Sequence, residues 1–143
     1  MTETVAIAAD HGGFELKKLL VPELQTLGLK VLDLGTANGD SVDYPDFAEA
    51  LAAAIRDHRA SSGVLICGTG IGMSIAANRH RDIRGALVHD ATTARLARQH
   101  NDANVLILGG RLLGPELARD CVKIFFSTAF EGGRHERRVA KLS

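Results

Sequence analysis

The sequence predicts an α/β fold, a five-stranded parallel sheet between two layers of helices. Three observations predict it. Five short runs, TVAIAA, KVLDL, VLI, RGALV and NVLIL, read as strands, and the apolar, β-branched VLI reads as one buried in a parallel sheet. Stretches with apolar residues at helical spacing separate them. Glycine or other turn residues follow almost every run. Strict strand–helix alternation is the pattern of a parallel sheet covered on both sides, a Rossmann-like three-layer sandwich.

In chain order, Thr4–Ala9 is the first strand, and Asp10-His11-Gly12-Gly13 turns the chain. A helix follows from Phe14 with Leu16, Leu19 and Leu20 apolar, and Pro22 predicts a kink or restart within it. Gly28 is placed to stop it. Lys30–Leu34 is the second strand, and Gly35 to Tyr44 is a polar loop. Asp43 and Pro45 mark the start of the next helix, in which Phe47, Leu51 and Ile55 recur at a spacing of four. Val64–Ile66 is the third strand. Past its glycine turn, Ile71, Met73 and Ile75 are expected to pack the following helix onto the sheet. Arg84–Val88 is the fourth strand and His89–Gln99 a helix with Leu96 and Ala97 inward, leaving through His100-Asn101-Asp102. Asn104–Leu108 is the fifth strand, closed by Gly109-Gly110-Arg111. Pro115 opens a helix whose inward face is Leu117, Cys121, Ile124 and Phe125. Past Phe130-Glu131-Gly132-Gly133, the basic tail Arg134-His135-Glu136-Arg137-Arg138 reads as a short helix.

At 143 residues the chain fits one domain, 1–143, large enough for a full core. With 17 basic and 17 acidic residues its formal net charge is zero, so no basic field argues for nucleic acid. No apolar run approaches the ~18 residues of a membrane span and no secretory signal opens the chain, so a soluble, cytoplasmic protein is expected. Two cysteines, Cys67 and Cys121, do not make a disulfide framework. There is no CxxC, HExxH or calcium-type carboxylate cluster, and the six histidines are scattered, so no metal is expected. His58, His80 and His89 are surface or packing residues in this reading.

The stretch Gly63–Asn78, GVLICGTGIGMSIAAN, carries the chemistry. Cys67 stands where the third strand should end, and Gly68-Thr69-Gly70-Ile71-Gly72 leads into a helix. Ligands of open α/β sheets bind off the carboxyl ends of strands. Glycines allow close backbone approach, and the unpaired N–H groups of a helix start attract negative charge. That setting can make a thiol a usable base or nucleophile. The bland alternative is a buried structural thiol, which would not need three glycines after it. A dinucleotide fingerprint would need its third glycine one position beyond Gly72 and normally follows the first strand; a P-loop would need GK[ST]. Neither fits.

Asp10 and His11 at a strand end could move protons between oxygens or bind a hydroxyl and a phosphate, or could merely cap a turn. Arg134 and Arg138, four apart, share a helix face and could clamp a phosphate, or could be a solvated tail. His100 and Asn101 sit at a helix exit, normally the edge of the sheet opposite Cys67; a second subunit or a tilted helix would be needed to bring them to the same cleft. One thiol, an oxyanion turn, two histidines, an aspartate and several arginines suit proton transfer beside the carbonyl of a phosphorylated sugar, with no metal or organic cofactor.

The chain resembles the type B ribose-5-phosphate isomerases, within the ribose/galactose isomerase superfamily. The resemblance rests on AADHGGFELK at 8–17, DYP at 43–45, ICGTGIGMSIAANR at 66–79, RQHNDANVL at 98–106 and FEGGRHERR at 130–138. It implies interconversion of ribose 5-phosphate and ribulose 5-phosphate through a cis-enediolate. Cys67 would be the base shuttling the proton between C1 and C2; some members carry serine there and use a glutamate at the position of Met73, so this chain is of the cysteine type. Gly68, Thr69, Gly70, Ile71 and Gly72 would bind the enediolate, Thr69 also assisting proton movement. His100 and Asp10 would open the furanose ring, Asn101 would bind a sugar hydroxyl, and His11, Arg111, Arg134 and Arg138 would hold the phosphate. The resemblance further implies a homodimer, or a tetramer, with shared sites, the tail 134–143 reaching the partner subunit. Relatives of the superfamily act on allose 6-phosphate, galactose 6-phosphate or tetrose phosphates, and Tyr44 and the turn near His11 are expected to set that choice. Outside this chemistry stand a non-catalytic nucleotide-binding module and a thiol-redox protein, the latter disfavoured because no resolving cysteine lies near Cys67.

Overall fold

The computed structural model describes residues 3–142. Five strands, β1 (Thr4–Ala9), β2 (Lys30–Asp33), β3 (Ser62–Cys67), β4 (Gly85–Leu87) and β5 (Val105–Gly109), form one parallel sheet in the order β2-β1-β3-β5-β4. The helices are α1 (Phe14–Thr26), α2 (Tyr44–Arg56), α3 (Ile71–Ala77), α4 (Ala91–Asn101), α5 (Pro115–Phe125) and α6 (Arg134–Ala140). The expected α/β/α sandwich is the observed one.

Alternation along the strands builds two cores. Val5, Ile7 and Ala9, Val64 and Ile66, and Leu106 and Leu108 face one side, where Leu16, Leu20 and Leu24 of α1, Ala94 and Ala97 of α4, and Ala118, Cys121, Val122 and Phe125 of α5 cover them. Ala6 and Ala8, Leu65 and Cys67, and Val105 and Ile107 face the other, against Ala48, Leu51 and Ala52 of α2 and Met73 and Ala77 of α3. Every crossover then has the same hand, as the right-handed rule for parallel sheets requires: connections running toward β2 use the first face, and those running toward β4 the second.

Several expectations need correction. α1 runs unbroken through Pro22 to Thr26, so there is no restart. Lys17 lies among its leucines yet is 4 % exposed, its ammonium held 2.8 Å from both oxygens of Asp33 on β2. Ile71 and Ile75 do not pack on the sheet; they are 54 % and 56 % exposed, while Met73 and Ala77 are fully buried. Residues two apart on a helix point about 200° apart, so a helix that buries 73 and 77 must expose 71 and 75. α4 starts two residues later than expected and includes His100 and Asn101 in its last turn. A capping box fixes its start: Thr93 N donates to Asp90 Oδ1 at 2.7 Å, and Asp90 N donates to Thr93 Oγ1 at 3.3 Å. Asp102, with φ +47°, ends it.

The chain leaves β1 toward β2 in one direction and leaves β3 toward β4 in the other. The carboxyl ends of β1 and β3 therefore flank the switch point of the sheet, where open α/β folds form their crevice.

Candidate active site

Register brings three strand ends together. Ala9 pairs with Ile66 and Cys67 with Gly109, so Asp10, Cys67 and Gly109 lie side by side on neighbouring strands. The turns that follow are locked backbone to backbone. Gly110 N donates to Cys67 O at 2.8 Å, Arg111 N to Gly68 O at 2.9 Å and Asp10 N to Ile66 O at 3.2 Å. The contact leaves no room for side chains: a Cβ on Gly110 would fall 2.5 Å from Gly12 O, and one on Gly12 would fall 3.0 Å from Gly68 N.

Cys67 is 4 % exposed, and its Sγ accepts the Gly70 N–H at 3.2 Å. It therefore sits at the end of the second core, beneath the glycine turn, with one polar partner. Ile71 N donates to Thr69 Oγ1 at 3.2 Å. The N–H groups of Gly72 and Met73 lie in the first turn of α3, where no earlier carbonyl of the helix can take them. Asp10 is 7 % exposed and accepts the Gly12 N–H at 2.9 Å. His11 Nδ1 accepts the Val42 N–H at 3.2 Å, so the neutral ring carries its proton on Nε2 as a donor. The Arg111 side chain arches over Gly68, where an added Cβ would be 3.3 Å from Nη1. Tyr44 walls the other flank, its ring 2.7 Å from where a Gly72 Cβ would stand.

His100, Asn101, Arg134 and Arg138 are elsewhere. α4 runs antiparallel to the strands, so its last turn lies at the amino edge of the sheet, about 16 Å away across the five residues of β5. There α6 packs against it. His100, Asn101 and Arg138 line a cavity of about 300 Å³ with His135, Val139 and Leu142. The His100 and His135 rings stack with centroids 4.4 Å apart and an interplanar angle of 15°. Arg134 and Arg138 are exposed and have no ion-pair partner among the described residues. One chain thus holds two groups: Asp10, His11, Cys67, Gly68–Gly72 and Arg111 at one edge, and His100, Asn101, Arg134 and Arg138 at the other.

The model of the ribose/galactose isomerase family matches residues 5–142 of the chain. The chain belongs to this family. It is 42% identical over 139 residues to ribose-5-phosphate isomerase B of Escherichia coli, covering 97% of this chain and 93% of that protein. It is 42% identical over 140 residues to the D-erythrulose-4-phosphate isomerase of Pectobacterium atrosepticum, covering 97% and 92%. The crystal structure of a ribose 5-phosphate isomerase from Thermotoga maritima superposes with a TM-score of 0.95 at 52% identity, covering 99% of this chain and 98% of that one.

Seen as a ribose/galactose isomerase, the chain has two features its sequence did not announce. The partner of His11 is a backbone group 31 residues away, on a loop with no recognisable motif. His135, passed over in the basic tail, is buried beneath His100. Burial pushes the His135 pKa down from the usual imidazole value, and the neighbouring His100 and Arg134 push in the same direction. Cys121 is fully buried on the face of the sheet opposite Cys67, and burial raises its thiol to about 11. The sheet between the two sulfurs removes the thiol-redox reading, which needs them to meet.

Gly70 tests the turn. Its φ is +81°, and a Cβ there would lie 2.5 Å from Leu87 Cδ1 and 3.1 Å from the Leu108 carbonyl carbon. Gly70→Ala is expected to lower stability by about 2–5 kcal/mol, left-handed strain and overpacking combined, read from the urea midpoint. An unchanged midpoint would show that the turn is not held in this conformation.

Proposed function

We propose that this chain is an aldose–ketose isomerase that interconverts D-ribose 5-phosphate and D-ribulose 5-phosphate, using no metal or organic cofactor. The observation that carries the reading is the placement of Cys67: a strand-end sulfur under the glycine turn, with Asp10, His11 and Arg111 at the same edge of the sheet. His100 protonates the ring oxygen as Asp10 takes the C1 hydroxyl proton, and the furanose opens to the aldehyde. The Cys67 sulfur then removes the proton from C2, and the electron pair moves into a cis-enediolate. N–H groups of Gly68–Gly72 hold the oxygen that gains charge; one such donor is worth roughly 3–4 kcal/mol in comparable sites. Thr69 helps pass the hydroxyl proton between O2 and O1. Sulfur returns its proton to C1, giving the ketose. Asn101 holds a sugar hydroxyl, and His11, Arg111, Arg134 and Arg138 hold the phosphate.

The two residue groups lie at opposite edges of one chain, so the working unit is a homodimer, alone or within a tetramer, in which each mouth is completed by the partner's α4–α6 corner and basic tail. A site depending on a free thiol suits a reducing compartment such as the cytoplasm. A second reading keeps the chemistry and changes the sugar, and the likeness to a protein named for a four-carbon sugar phosphate favours a tetrose phosphate among the alternatives.

The test is a panel of four-, five- and six-carbon aldose phosphates assayed with chelator present. The expected result is the highest kcat/KM for ribose 5-phosphate, undiminished by chelator. A higher value for a tetrose or hexose phosphate would replace the substrate, and no turnover of any would end the reading.

A further inference from the structure

The segment joining α5 to α6 is built against the end of α4. Glu131 N donates to Gln99 O at 3.1 Å, which pins that segment to the last turn of α4. Gly132 and Gly133, with φ of +70° and +58°, then reverse the chain, and His135 N donates back to Gly132 O at 3.1 Å. The result is that one carboxylate oxygen faces two imidazoles. Glu131 Oε1 lies 3.9 Å from His100 Nε2 and 3.5 Å from His135 Nε2.

The three ligand atoms lie within 4.8 Å of one another, a spacing that could suggest a metal. The rings argue otherwise. A metal must lie in the plane of each imidazole it binds, and two stacked rings 15° from parallel share no such point without one of them turning. A carboxylate has two oxygens and can serve either ring by a small rotation. The distances are longer than made hydrogen bonds, as is common for catalytic contacts before substrate closes them.

The other charged groups facing the pair are Arg134 and Arg138 on α6. On α4, Arg98 is taken up by Asp102, Thr128 O and Ala103 O. Asp102 is shared with Arg84. Burial and the positive groups around it disfavour the charged form of His135, and His100, at 39 % side-chain exposure, is the ring open to a substrate.

We infer that Glu131 is a positioning residue for His100: its carboxylate holds the proton on Nε2 of that ring, so that Nδ1 is the nitrogen offered to the substrate. The inference rests on the reading of His100 as the ring-opening group. In a neutral imidazole the partner of one nitrogen decides which nitrogen is the base, and in the imidazolium the same partner orients the acidic N–H.

Two variants test it: Glu131→Leu removes the acceptor, and Glu131→Gln keeps an acceptor without the charge. Glu131 is half exposed, so both should fold. In the wild type, 15N imidazole resonances are expected to show neutral His100 protonated on Nε2; in Glu131→Leu they shift toward the Nδ1–H form, with Glu131→Gln between. kcat/KM from ribose 5-phosphate falls at least about tenfold in Glu131→Leu, within the range a positioned acid–base group contributes. Ribulose 5-phosphate cannot close a furanose ring, because its C5 oxygen carries the phosphate. Solvent deuterium wash-in at its C1 therefore bypasses ring opening, and should change by less than about twofold. An unchanged tautomer, or wash-in falling in parallel with turnover, overturns the inference. His100→Asn separates the two levels. If it keeps wild-type turnover of ribose 5-phosphate, the reading of His100 fails; if it loses turnover while Glu131→Leu does not, the inference alone fails.

Discussion

Replacing Cys67 by alanine is expected to lower kcat for ribose 5-phosphate by about 10²–10⁴-fold, the range for loss of a positioned acid–base group. The proposed base is a single atom, and the described residues around it offer no substitute at that point. Met73 has no proton to exchange and is fully buried. Asp10 is turned toward the Gly12 N–H. Deuterium wash-in at C1 of ribulose 5-phosphate should disappear along with turnover, because both run through the proposed base. KM should move little, since the side chains proposed to hold the phosphate are unchanged. Stability should fall by only about 1 kcal/mol, as for a small deletion at a strand end. A Cys67→Ala protein with wild-type turnover would remove the sulfur from the mechanism.

Mixing two inactive variants is expected to restore activity. Cys67→Ala disables the group at the carboxyl edge of the sheet, and His100→Asn disables the group at the amino edge. If each site takes one group from each protomer, a hybrid dimer has one doubly defective site and one with both residues intact. Random re-pairing makes about half of the dimers hybrids, so the mixture should recover about one quarter of wild-type activity. Dissociation in mild urea followed by dilution provides the exchange, and each variant treated alone is the control. No recovery, with exchange of protomers demonstrated by mass spectrometry of tagged chains, would mean that each site draws on a single chain.

Most of the architecture was legible because a parallel strand buried on both faces must be apolar along its length, as β1, β3 and β5 nearly are, while the edge strands β2 and β4 are only partly buried and were read from shorter apolar stretches. The switch-point site was legible for a related reason. Cys67 and its glycines follow such a run directly, and the close approach of Gly12, Gly68 and Gly110 explains why those three positions carry no side chain. The misreadings came where local pattern underdetermines orientation. Ile71 and Ile75 are apolar and correctly spaced, but Met73 and Ala77 have the same spacing and win the core. The α4 cap is written as Asp90 and Thr93, without the glutamate or glutamine that usually marks a capping box. The order of β4 and β5 was not legible, because right-handed crossovers permit either arrangement. The partnerships of Val42 with His11 and of Glu131 and His135 with His100 are tertiary, and no spacing rule reaches them.

The two sulfurs on opposite sides of the sheet leave the chain without a resolving thiol. A sulfenic acid formed at Cys67 by peroxide could not be trapped as an internal disulfide, and further oxidation to the sulfinic level is irreversible in most settings. Recovery would fall to a separate small thiol able to enter the mouth, so the durability of this sulfur under oxidant depends on the cell's reductant supply rather than on the fold.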